Sequence, residues 1–174
     1  RPHDADGTPR ALVLSPTGRH FSAGMDLSVF TGGSGALDGG AGRSTEMGRV
    51  RARLRQTARL LQDSFNALEQ VRMPVLAAVH GGVVGGAVDM VTACDCRYAT
   101  EDAFFVIQEI NIGMTADVGT LQRLPKLIPE GVAREYAYTG RRMPASRAKE
   151  VGLVNEVYPT QAEMLDDVLG IARE

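Results

Sequence analysis

Residues 74–94, PVLAAVHGGVVGGAVDMVTAC, constrain this chain more than any other stretch. PVLAAVH is apolar without alternation, the pattern of a strand buried on both faces, and the Met73-Pro74 step ends any helix before it. GGVVGG then leads directly into AVDMVTAC, which reads as helix. A strand, a glycine turn and a helix in immediate succession call for an α/β fold in which helices cover the sheet. The same unit leaves backbone N–H groups unpaired at the positive end of the helix dipole, where an anion or a developing oxyanion is favoured.

The turn is not a nucleotide loop. A dinucleotide fingerprint needs glycine at its middle place, where Val83 stands, and a phosphate loop needs lysine after its last glycine, where Ala87 stands. Close packing of strand on helix is the plain structural use of such glycines.

The remainder of the chain repeats the alternation. Residues 11–15 (ALVLS) predict a short buried strand, and residues 16–42 a long glycine-rich loop containing TGGSGALDGGAG. From 44 to 72, Met47, Val50, Leu54, Ala58, Leu61, Phe65, Leu68 and Val71 recur at helical spacing. Arg49, Arg51, Arg53, Arg55 and Arg59 on the opposite side read as a solvated face, with contact to phosphate groups as the alternative. Short apolar strands follow at 96–99 and 104–107. Helices are expected near 118–128, 131–139 and 145–151, then a strand at 153–157 and a helix from about 160.

Composition removes several classes of function. The 174 residues carry a formal charge of −2, so there is no basic surface for nucleic acid or an anionic membrane. No stretch approaches the roughly 18 to 20 apolar residues of a membrane span. Cys94 and Cys96 are too close for an unstrained disulfide and read as reduced, buried and cytosolic. His3, His20 and His80 are scattered, so no metal site is expected, and no GxSxG serine elbow is present.

HFSAGMDL (residues 20–27), MPVLAAVHGGVVGGAVDMVTACDCRYATEDAFF (73–105) and the stretch up to TLQRLPK resemble the enoyl-CoA hydratase/isomerase, or crotonase, superfamily over nearly the whole chain. The resemblance implies the ClpP/crotonase spiral of ββα units with helix-covered sheets, as a single domain over 1–174. It also implies that the family's N-terminal strand segment and C-terminal helices are missing from this sequence. In that family each of the two loops gives one backbone N–H to an oxyanion hole for an acyl-CoA thioester, here those of Met25 and Gly86. Ala23, Gly24, Asp26 and Gly85 would bind substrate beside them. Two preorganised donors stabilise the enolate formed when a proton leaves the carbon next to a thioester.

Carboxylates then select the reaction. Asp89 lies one helical turn after Gly86 in an otherwise apolar helix, so its head should project near the same site. Glu109 follows the apolar run FFVIQ. Asp117, read alone, is a helix cap, and Asp102 a surface turn residue. Hydratases of the family carry glutamates at the positions of Asp89 and Glu109 and a small apolar residue at that of Asp117. The trio Asp89, Glu109 and Asp117 within GGAVDM, QEINIG and TADVGTLQRLPK resembles the Δ3,5-Δ2,4-dienoyl-CoA isomerases instead. That resemblance implies Asp117 as base at C2, Glu109 as acid at C6, in roles that could be exchanged, and Asp89 as an orienting or polarising group.

The expected function is therefore isomerisation of 3,5-dienoyl-CoA to 2,4-dienoyl-CoA in fatty-acid β-oxidation. CoA is part of the substrate, no metal or redox cofactor is expected, and the partner is a second copy in a homotrimer or homohexamer. The alternatives are an enoyl-CoA hydratase and a non-catalytic acyl-CoA-binding or assembly subunit. The expected compartment is the cytoplasm of a bacterium, or a peroxisome or mitochondrion in a eukaryote. Arg123 can pair with a carboxylate or with an adjacent subunit, and Met73, Met90 and Met114 read as core or acyl-pocket lining.

Overall fold

A computed structural model describes residues 9–26 and 47–174. Most of the residues expected to form the glycine-rich loop, and residues 44–46 of the expected long helix, lie outside these. Two sheets carry the fold. The first is wholly parallel and contains β1 (Leu12–Leu14), β2 (Val75–Val79), β4 (Cys96–Thr100) and β7 (Glu156–Tyr158) in the order β1-β2-β4-β7. The second contains β3 (Gly82–Val84), β5 (Phe104–Val106) and β6 (Met143–Pro144), with β3 parallel and β6 antiparallel to β5.

β2 shows why its sequence has no polar alternation. All five of its residues are buried. Val75, Ala77 and Val79 enter the main core, whereas Leu76 and Ala78 pack on the other face beneath Met164 and Val168 of the terminal helix, Gln161–Ile171. Period-two geometry thus divides one apolar run between two layers.

The helices are α1 (Met47–Gln70), α2 (Gly86–Thr92), α3 (Thr120–Leu127), α4 (Glu130–Thr139), α5 (Ala145–Glu150) and α6 (Gln161–Ile171). In α1 the residues after about 60 pack: Leu61, Phe65 and Leu68 are half-buried. Arg49, Arg51, Arg53, Arg55 and Arg59 are exposed, as expected of a solvated face. Gly140 ends α4 in the left-handed region at φ 58, a usual helix stop.

Two local expectations are corrected. Residues 81–86 are not purely a turn, because Gly82–Val84 form β3 and begin the second sheet, leaving Gly85 alone to make the bend. The strand expected at 153–157 forms only over Glu156–Tyr158. Leu153 and Val154 are instead tied down as irregular chain, Leu153 O accepting from the buried Arg97 Nε at 2.6 Å. Arg97 Nη1 also donates to Cys94 O at 2.6 Å, closing the end of α2. Cys94 and Cys96 are free thiols, with Cys94 buried and Cys96 half-buried. Burial pushes the Cys94 thiol up to about 12, so it remains protonated. His80 is a buried residue whose Nε2 meets Gly18 O at 2.7 Å, while its Nδ1 has no partner among the described residues.

Candidate active site

Two loops meet where α2 begins. Ser22 bridges Val83: its N–H donates to Gly82 O at 3.1 Å and its carbonyl accepts from Val84 N at 3.1 Å. The Gly24 N–H is taken by Ser22 Oγ at 3.2 Å. At Gly24, φ is +87, and a Cβ would lie 2.7 Å from Val84 O and 3.6 Å from Gly86 N. The FSAGMD loop therefore crosses the β3–α2 turn backbone to backbone, which only glycine permits there. The next peptide carries the Met25 amide, and the Met25 side chain is exposed.

Gly85 makes the bend at φ 56, ψ −124, a conformation open almost only to glycine. Its N–H donates to Val106 O at 2.9 Å, fixing the bend to the second sheet. Gly86 is the first residue of α2, so its N–H has no intrahelical acceptor and stands at the positive end of the helix. The backbone of Gly24 and the start of α2 are thus neighbours, as a two-donor oxyanion site requires. Ala23, Gly24, Met25, Asp26, Gly85 and Gly86 all belong to these two segments.

The three carboxylates differ in environment. Asp89 is completely buried, one turn into α2. Its Oδ1 accepts from Thr120 N at 2.6 Å and Thr120 Oγ1 at 2.8 Å, while Oδ2 is buried without a partner among the described residues. Burial pushes its carboxyl above the usual range against the Thr120 bonds and the Arg123 charge, and Asp117 adds to the rise.

Glu109 opens a 3-10 turn, Glu109–Ile112, and is half-buried. Its Oε1 lies 3.2 Å from where a Gly85 Cβ would stand, so the carboxyl faces the glycine bend. Its Oε2 is buried and unpartnered among the described residues. Burial raises this carboxyl too, and both Asp89 and Asp117 push it further in that direction.

Asp117 is exposed, in a turn bounded by Gly113 at φ 72 and Gly119 at φ 133. It does not cap α3 through its side chain: the N-cap is Gly119, and the capping oxygen comes from Asp89 on the neighbouring helix. Sequence separation hid this tertiary cap, because the usual signal is a polar residue within the same turn.

Gln62, Asn66 and Glu69, which sequence reasoning passed over, hold this turn together with Arg123. Gln62 Nε2 donates to Asp117 O at 2.7 Å. Arg123 Nη1 donates to Val118 O at 3.3 Å, and its Nη2 reaches Asn66 Oδ1 at 2.6 Å and Glu69 Oε2 at 2.8 Å. Of the two partners expected for Arg123, a carboxylate of the same chain, Glu69, is observed. Gln62, Asn66 and Glu69 recur at spacings of four and three, a polar stripe on α1 that the apolar pattern overshadowed.

Chemically, the site combines backbone donors suited to a thioester oxyanion with two carboxyls, Asp89 and Glu109, whose proton affinity burial raises. The fold and these convergent loops define a crotonase-type α/β protein, and the comparisons agree. The sequence profile of the enoyl-CoA hydratase/isomerase family matches residues 3–174, and the chain belongs to that family. It is 44% identical over 170 residues to the human mitochondrial Delta(3,5)-Delta(2,4)-dienoyl-CoA isomerase, covering 97% of this chain and 50% of that one. With the peroxisomal Delta(3,5)-Delta(2,4)-dienoyl-CoA isomerase of Arabidopsis thaliana it shares 43% identity over 161 residues, covering 92% and 56% respectively. A Thermobifida fusca structure in complex with acetoacetyl-CoA superposes with a TM-score of 0.80 at 27% identity, covering 94% of this chain and 62% of that one. The chain therefore spans about half the length of the curated relatives it matches. No described helix is long and apolar enough to cross a membrane.

Proposed function

We propose that the protein carrying this chain converts 3,5-dienoyl-CoA to 2,4-dienoyl-CoA. The observation that carries the reading is the half-buried Glu109 carboxyl facing the Gly85 bend, its proton affinity raised by burial and by the neighbouring Asp89 and Asp117. The names of the two dienoyl-CoA isomerases and the acetoacetyl-CoA complex support the substrate class.

Asp117 takes the C2 proton as base. The C–H electron pair enters conjugation with the thioester, and the Met25 and Gly86 amides hold the resulting oxyanion. Glu109 delivers its proton to C6, the C5=C6 pair forms that bond, and the double bonds settle at C2 and C4. Asp117 ends protonated and Glu109 ionised, and exchange with solvent restores both. Ala23, Gly24, Asp26 and Gly85 line the thioester, and Asp89 tunes Glu109 and holds Thr120. Both steps are proton transfers, so the reaction calls for no metal or redox cofactor. Exposed Ile110, Ile112, Met114 and Leu121 support assembly with further copies, as a homotrimer or homohexamer. The compartment is that of acyl-CoA oxidation, the bacterial cytoplasm or a eukaryotic mitochondrion or peroxisome.

Ultraviolet absorbance of 3,5-dienoyl-CoA incubated with the protein tests the reading, because the product is conjugated with its carbonyl. Conversion should fall by about 10²-fold or more in both Asp117→Asn and Glu109→Gln. Hydration of a 2-enoyl-CoA is the second reading, favoured by the two buried unpartnered oxygens, Asp89 Oδ2 and Glu109 Oε2. Hydration without dienoyl conversion would overturn the first.

A further inference from the structure

The Asp117 carboxyl sits on the exposed chain between Gly113 and Gly119, where neither a helix nor a strand holds the backbone. Three side chains hold it instead, each from a different helix. Gln62 of α1 donates to the carbonyl of Asp117 itself at 2.7 Å. Arg123 of α3 donates to the next carbonyl, that of Val118, at 3.3 Å. Asp89 of α2 accepts from Thr120 N at 2.6 Å, just beyond the turn.

Arg123 is 6% exposed and is itself fixed, by Asn66 Oδ1 at 2.6 Å and Glu69 Oε2 at 2.8 Å. Gly119 completes the arrangement: a Cβ there would collide with the Arg123 guanidinium, so glycine lets the charged plane lie against the turn. Gln62, Asn66 and Glu69 occupy one stripe of α1 and line, with Asp117, Gly119 and Arg123, a single polar cleft. A short carboxylate on an irregular turn has its direction set by its backbone, and a misplacement of about 1 Å costs about 10²-fold in rate.

We propose that Gln62 and Arg123 are positioning residues that aim the Asp117 carboxyl at its substrate carbon, with α1 as their rigid support. The inference rests on the proposed role of Asp117 as base. It makes α1 part of the catalytic apparatus through the backbone that carries Asp117. Removing the Gln62 donor slows proton abstraction and leaves substrate binding intact.

The test compares wild type, Gln62→Met, Arg123→Lys, Asp117→Asn and Gln62→Met with Asp117→Asn in the full-length protein. Methionine keeps the length of glutamine without its donor, at a half-buried site that tolerates it. Gln62→Met should lower kcat about 10-fold with KM within about 2-fold, and should add nothing in the Asp117→Asn background. Arg123→Lys should act in the same direction. Amide exchange over residues 117–120 should rise about 10-fold in Gln62→Met while exchange of β2 stays unchanged. Loss in KM rather than kcat, or an equal loss with and without Asp117, overturns the proposal. A wild type inactive on dienoyl-CoA overturns the reading of the reaction, and unchanged exchange at 117–120 in Gln62→Met overturns the clamp.

Discussion

Asp89 Oδ1 accepts two hydrogen bonds from Thr120, one from its amide at 2.6 Å and one from its hydroxyl at 2.8 Å. A carboxylate on α2 thereby caps α3, and the helix that begins at the glycine turn fixes the helix that follows Asp117. The cap buries a carboxyl whose second oxygen has no partner among the described residues. Such an arrangement stabilises the protonated acid relative to the ionised one.

Stability should therefore depend on pH through Asp89. Its folded pKa is raised above the ordinary 3.8, so the folded state binds more protons than the unfolded state in the window above that value. The contribution is full below the unfolded pKa and is lost as pH rises through the folded one. Asp89→Asn keeps an oxygen for both Thr120 donors and removes the charge, so urea midpoints between about pH 4 and about pH 8 should show a flatter profile. Near neutrality the variant should gain about 1 kcal/mol. Asp89→Ala strands both Thr120 donors and should lose about 3 kcal/mol.

Activity should follow Glu109. If it is the acid, kcat/KM falls as pH rises through its raised pKa, because the proton needed at C6 has left. Asp89 and Asp117 both push that pKa upward. Asp89→Asn removes one like charge, so the alkaline limb of the kcat/KM profile should move to lower pH. A limb that stays in place would separate Glu109 from the titration that governs turnover.

How far the sequence discloses this site depends on how local each determinant is. PVLAAVH, GGVVGG and the α1 periodicity are local patterns, and β2, Gly85 and α1 appear where those patterns predict them. β3 escaped because glycines that permit a bend also permit a strand, and its pairing with β5 lies some twenty residues away. The expected cap at Asp117 failed because Asp89 reaches across from another helix. The Gln62–Asp117 bond spans 55 residues and joins a side chain to a carbonyl. No residue-type pattern encodes such a contact, since every residue offers a carbonyl.

Gly85→Ala should separate bend strain from site geometry. The residue sits at φ 56, ψ −124, so alanine costs about 1 to 3 kcal/mol. The added Cβ would stand 3.2 Å from Glu109 Oε1 and displace the carboxyl. A thermal midpoint lowered by several degrees should accompany a fall in kcat larger than any rise in KM. A folded variant with wild-type kcat would show that Glu109 has no need of its contact with the bend.

Gly24→Ala addresses the proposed oxyanion donors without touching a carboxyl. A Cβ at φ +87 would press to 2.7 Å from Val84 O, and the only relief is for the FSAGMD loop to withdraw from the start of α2. The Met25 amide rides on that loop, so its separation from the Gly86 amide grows while Asp89, Glu109 and Asp117 stay in place. One lost oxyanion donor costs about 10²-fold in kcat, and dienoyl conversion should fall by that factor. The pH profile should keep its shape, because the groups that titrate are unmoved. A profile shifted together with the rate would mean that the loop acts through the carboxyls, and an unchanged rate would remove Met25 from the oxyanion site.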